Sequence, residues 1–312
     1  MREVEKLFLK ALSEELHDDR SDTSAAAAEI LKSENPADMI RTLLDISRKQ
    51  KIVPLIYDFL CTRGVELPEQ NILFLKHEIA SYALAYYQNK YFTGYICKIF
   101  DDAGLPYALI KGILLSELYK KPECRRFGDV DILINEKQAF KKASLLLAEH
   151  GFSRVSSNGD HHHEYTLDRN GRVYLLELHQ NLISSQESTK LNQKTRALYD
   201  SLKLDKVLPA TLDALYLLLH MLQHLLDAGF GIKLLCDWVL YLEQKTGEID
   251  SGRLKEILED FGIFSFAKNI TVFCVEYLGL TTYPECFHYD TLTAKMKRAM
   301  EALSEDIFSG GE

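Results

Sequence analysis

Two carboxylates, Asp129 and Asp131, stand one residue apart in the run RRFGDVDILI (125–134), where Val130, Ile132, Leu133 and Ile134 call for a buried strand. Charge among apolar neighbours is costly unless a cation pairs with it. In a strand, residues i and i+2 face the same way, so the two carboxylates sit side by side while Val130 and Ile132 turn to the core. Two hard oxygen ligands at that spacing suit Mg²⁺. The same pair could also cap a neighbouring helix, or pair with Arg125 and Arg126.

Two further features sharpen the first reading. Upstream, PYALIKG followed by GILLSELYKK reads as a strand, a Lys111-Gly112 turn and a short helix. A helix start offers free amides to a phosphate, Gly112 lets the backbone approach closely, and Lys111 would neutralise charge. Downstream, VYLLELH (173–179) sets Glu177 among leucines, again a charge where core is expected. A third carboxylate aimed at the first two completes a cage for phosphoryl chemistry. Residues 111–142 carry eight Lys/Arg against five Asp/Glu, a locally basic stretch such as a triphosphate favours.

The run LIKGILLSELYKKPECRRFGDVDILI, followed later by LLELH, resembles the uncharacterised nucleotidyltransferase family of the DNA polymerase beta-like superfamily. The resemblance spans residues 50–245. It implies Asp129 and Asp131 as paired metal ligands, Glu177 as the third carboxylate, and Lys111-Gly112 as the phosphate turn. It further implies Arg125 in nucleotide binding and His179, His220, Lys233 and Asp237 as accessory residues of the cleft. The implied reaction is Mg²⁺-dependent transfer of an NMP, AMP by preference, from an NTP such as ATP to a hydroxyl acceptor, with loss of pyrophosphate. The acceptor is left open between a small molecule and a protein. Most of the superfamily has Gly-Ser at the phosphate turn; Lys111-Gly112-Ile113 brings no hydroxyl. That departure keeps a second reading in view, a catalytically silent nucleotide-binding regulatory or toxin–antitoxin-type module.

These residues need a frame. Helical periodicity fills the first hundred positions, interrupted at Pro36 and Pro54, and a long helix is expected from Asn71 to Asp102. Strands and helices then alternate through the middle, ending in FSRVSS, HHEYTLD and RVYLLELH, with Asn170-Gly171 as a hairpin turn. From Leu191 onward the pattern is helical again. The expected class is α+β: a helical region 1–103, a small mixed-sheet nucleotidyltransferase core 104–185, and a helical region 186–312. Residues 17–28 read as a surface turn and the SGGE end as frayed.

Composition bounds the partners. A net charge of −9 and a pI of 5.6 argue against a broad nucleic-acid surface. No signal peptide and no run of about 18 apolar residues is seen, so membrane insertion is not expected. Six scattered cysteines without CxxC spacing fit reduced thiols in a cytoplasm. Nothing in the sequence sets an oligomeric state.

The histidines allow a zinc reading, from His161-His162-His163 and from His220 and His224 at i, i+4 spacing. HMLQH, however, lacks the glutamate of HExxH, and no cysteine is suitably placed. The triplet is expected in a loop or strand edge lining the cleft. Tyr82, Tyr86, Tyr87 and Tyr91 form a helical stripe expected to pack, and Trp238 is expected in the core.

Overall fold

In the computed structural model, residues 1–17, 24–67, 72–158, 162–182, 189–227 and 229–309 are described. They form two compact units interleaved in sequence: 1–84, 118–126 and 220–312 in the first, 85–117 and 127–219 in the second. The class is α+β.

The first unit is helical. It holds α1 (Glu3–Leu16), α2 (Ala25–Lys32), α3 (Pro36–Lys49), α4 (Val53–Thr62) and the start of α5 (Ile72–Asp102). Pro36 and Pro54 open helices rather than break them, because a first-turn N–H has no intrahelical partner to lose. The expected surface turn over 17–28 is overturned from Ala25 on. An alanine run capped by Ser24, whose side chain accepts from the Ala27 amide, folds as α2, while residues 18–23 lie outside the described residues. Asn71 and residues 310–312 are likewise outside them.

The second unit is the sheet and its cover. Its elements are β1 (Ala108–Ile110), α6 (Gly112–Ser116), β2 (Asp129–Leu133), α7 (Lys137–Glu149), β3 (Ser153–Asn158), β4 (His162–Arg169), β5 (Arg172–His179) and α8 (Thr189–Tyr199). The helix α9 (Ala210–Asp227) begins here and ends in the first unit. That unit continues through α10 (Ile232–Lys245), α11 (Ser251–Phe261), α12 (Phe264–Leu278) and α13 (Ala294–Ser309). Trp238 of α10 is fully buried, as its sequence setting predicts.

The strand order is β1-β2-β5-β4-β3, with β2 and β5 parallel and the other neighbours antiparallel. Asn170 and Gly171 turn β4 into β5 with φ of 54° and 76°, the left-handed pair that a two-residue hairpin demands. Alternation then divides the sheet. Val130, Ile132, Tyr165, Leu167, Leu176 and Leu178 join Phe92, Ile96 and Phe100 of α5 and Phe140, Ala143 and Leu147 of α7 in one core.

The tyrosine stripe splits. Tyr82 and Tyr86 are buried, but Tyr87 and Tyr91 are 57% and 69% exposed. One residue along a helix is about 100° around it, so the second pair leaves the packed face.

The parity of β5 makes a direct prediction. Leu178 is fully buried, so Leu178→Ala should cost about 2–5 kcal/mol in a urea melt. Glu177→Gln, on the opposite face, should move the same midpoint little. Equal losses would make Glu177 a structural charge.

Candidate active site on the polar face of the sheet

The face opposite the core carries the chemistry. Register places Asp131 beside Glu177, Leu133 beside His179, Glu164 across from Glu177 and His162 across from His179. β2, β5 and β4 thus contribute Asp129 and Asp131, Glu177 and His179, and His162 and Glu164 to one surface. Ile110 of β1 pairs with Asp131, which brings the following Lys111 to the end of the same row.

Lys111 is the residue most shaped by its position. Its φ of 52° and ψ of −136° lie where side-chain-bearing residues rarely go, at a cost of order 1–3 kcal/mol. Its ammonium stands 3.1 Å from Asp131 Oδ1. Burial works against the charged amine, but Asp131, Tyr216 and Glu177 outweigh it and hold the Lys111 pKa above its ordinary value. Gly112 follows with φ 38°. A Cβ there would meet only ordinary contacts, with Phe127 at 3.5 Å and the Asp129 carbonyl at 3.6 Å, so backbone conformation rather than space requires glycine. The expected ten-residue helix after the turn is only the five residues of α6, which leaves little dipole to offer a phosphate.

His179 is buried, with Nε2 3.1 Å from Asp131 Oδ1 and 3.2 Å from Glu177 Oε2. Burial opposes the imidazolium, yet these hydrogen bonds raise its pKa. Asp131 is the mirror case. Burial pushes it up, but Lys111 and His179 hold it below the usual carboxylate range. For Asp129 the balance is reversed: burial, then the charges of Asp131 and Glu177, outweigh the pull of Lys111 and lift it to about 6. Two neighbouring carboxylates are thereby driven apart, a pattern found where function is built.

Donor atoms of Asp131, Glu177 and His179 lie within 4.8 Å of one another, as do those of His162, Glu164 and Glu177. The first group, two carboxylate oxygens and an imidazole nitrogen, is a donor set that fits a divalent cation. Asp129, two residues before Asp131 on β2, belongs to neither group among the described residues. Tyr216 of α9, buried, hydrogen-bonds Lys111, whose ammonium is 5.7 Å from the ring centre. Sequence reasoning missed it. One helical turn before His220, in an otherwise apolar run, its hydroxyl was the available signal.

Lys111, Gly112, Asp129, Asp131, Glu177 and His179 are therefore gathered in the second unit. Arg125, His220, Lys233 and Asp237 belong to the first. There, Arg125 donates through Nε at 2.6 Å and Nη2 at 2.8 Å to the two oxygens of Asp237, which also accepts from Tyr119 at 2.8 Å. Lys233 donates to the Arg126 carbonyl. His220 packs edge-on against His224, and among the described residues neither belongs to a three-donor metal group. His162 and His163 lie in β4, which is flanked by β5 and β3, rather than in a loop or edge strand. His163 turns to Phe140, while His161 lies outside the described residues.

A strand-borne pair of aspartates, a parallel neighbour bearing Glu-x-His and a lysine at the preceding strand–helix turn thus share one face of the sheet. The chain belongs to the family described as Uncharacterised nucleotidyltransferase, whose model matches residues 36–279. No curated protein and no solved structure matches it. Among the described residues, no helix is long and apolar enough to cross a membrane.

Proposed function

We propose that the polar face of the sheet transfers a nucleoside monophosphate, AMP by preference, from an NTP to a hydroxyl acceptor with release of pyrophosphate. The supporting observation is the convergence of Asp131, Glu177 and His179 beside Asp129 and Lys111, within a chain of this family. Asp129, Asp131 and Glu177 would hold a divalent cation, Mg²⁺ by preference for oxygen donors, which when bound supplies charge neutralisation at the phosphates and acidity at the acceptor hydroxyl.

The protein groups supply the rest. Lys111 brings a fixed positive charge to the phosphates, and Gly112 keeps the turn in a conformation that leaves its backbone approachable. His179, hydrogen-bonded to Asp131 and Glu177, orients both carboxylates, as outer partners of ligating groups do. Tyr216 keeps Lys111 aimed at the row. The acidic balance of the chain favours a small-molecule or protein acceptor over nucleic acid.

The test is incubation with each labelled NTP, a divalent cation and a metabolite extract. Mass spectrometry would then follow pyrophosphate and any adduct heavier by one nucleotidyl group. Product formation that requires the cation supports transfer. Tight NTP binding with neither product identifies the silent nucleotide-binding module.

A further inference from the structure

Asp131 Oδ1 is held twice, by the Lys111 ammonium and by His179 Nε2, each at 3.1 Å. The lysine is thus the resident cation of the best-buried carboxylate in the site. Its side chain is largely enclosed, and the Tyr216 hydroxyl, Glu177, Asp129 and His179 also act on its charge. A divalent ion approaching Asp131 meets that positive charge at its own ligand, and like charges at this range oppose one another strongly in a low-dielectric setting. For Lys111 to give up Asp131 it needs another anion within reach of a side chain anchored at the strained turn. A nucleotide phosphate at that turn is such an anion.

We infer that Lys111 couples metal entry to nucleotide entry: it passes from Asp131 to the incoming phosphate, so that the site takes the divalent ion and the phosphates together rather than in succession. The inference rests on reading Asp129, Asp131 and Glu177 as metal ligands, and it assigns Lys111 a positioning role toward that ion besides its contact with phosphate. The two ligands must then strengthen each other's binding, by a factor that is the same seen from either side. Removing the ammonium has opposite effects on the two. It frees Asp131 for the ion and deprives the phosphates of a partner.

The experiment is a calorimetric titration of Mn²⁺, alone and with ATP, into wild type, Lys111→Met and Lys111→Gly, each first checked by thermal melt. The glycine variant suits a φ of 52° and guards against a methionine variant that fails to fold. The expected result is Mn²⁺ affinity without nucleotide that rises on the order of tenfold in both variants. ATP affinity should fall, and the mutual enhancement should be smaller than in wild type, reduced to what the direct attraction between ion and phosphates supplies. Free Mn²⁺ affinity that is unchanged or weaker in the folded variants overturns the coupling role, while wild-type binding of Mn²⁺ with ATP leaves the site reading intact. Absence of Mn²⁺ binding to all three proteins, with and without ATP, overturns both.

Discussion

Asp131→Asn should lower the transfer rate by about a thousandfold or more, since metal-borne charge stabilisation is worth several kcal/mol and each ~1.4 kcal/mol is tenfold. It should also destabilise the fold. Asp131 is buried against Lys111 and His179, so its removal leaves an enclosed ammonium without its nearest carboxylate. The sign of the pH dependence follows. A carboxyl held below its ordinary 3.8 contributes stability that is present above that value and lost as pH falls through the lower folded pKa. The stability gap between wild type and Asp131→Asn should therefore be full at pH 7 and close in acid.

Asp129→Asn should cost a comparable amount of activity with the reverse effect on the fold. Asp129 titrates at about 6 in the folded chain against an ordinary 3.8, so its charged form at pH 7 is a cost that asparagine removes. A gain of about 1–2 kcal/mol at pH 7, vanishing below pH 4, is the expected result of urea melts across that range. Two adjacent aspartates giving the same sign would contradict the electrostatics of the site.

Arg125→Ala should cost about 3–5 kcal/mol, because it strands Asp237 in the core without its cation. Both side chains are nearly inaccessible, at 5% and 2% exposure, and the guanidinium bonds both carboxylate oxygens. Arg125→Lys should recover little, since an ammonium cannot span the two oxygens. Urea denaturation measures the loss. A variant that keeps its midpoint and loses nucleotide affinity would instead support the nucleotide-binding role that the family resemblance implies for Arg125.

What was readable in the sequence followed local rules. Parity alone put Asp129 and Asp131 on one face of β2 and set Glu177 opposite Leu176 and Leu178 on β5. The neighbour relation was not local. Glu177 lies beside Asp131 only because β5 runs parallel to β2 after a helix and a hairpin intervene; its place among leucines marked it as a candidate, and the family resemblance tied it to the pair. The Lys111–Asp131 ion pair spans a turn, a helix and an irregular stretch, and no pattern of spacing encodes it. Tyr216 reads as core because in burial it is core; its hydroxyl matters through a partner more than a hundred residues away. Tyr87 and Tyr91 failed in the opposite way, since helical spacing fixes a face without saying whether anything covers it.

The central claim is that a divalent ion with its nucleotide is held by Asp129, Asp131 and Glu177, beside His179 on the polar face of the sheet. The most direct test is the ring NMR signals of His179 and His162 during titration with paramagnetic Mn²⁺·ATP. The account predicts that both signals broaden at substoichiometric Mn²⁺, and that Asp131→Asn restores them. Sharp His179 and His162 signals in a protein saturated with Mn²⁺·ATP would contradict it.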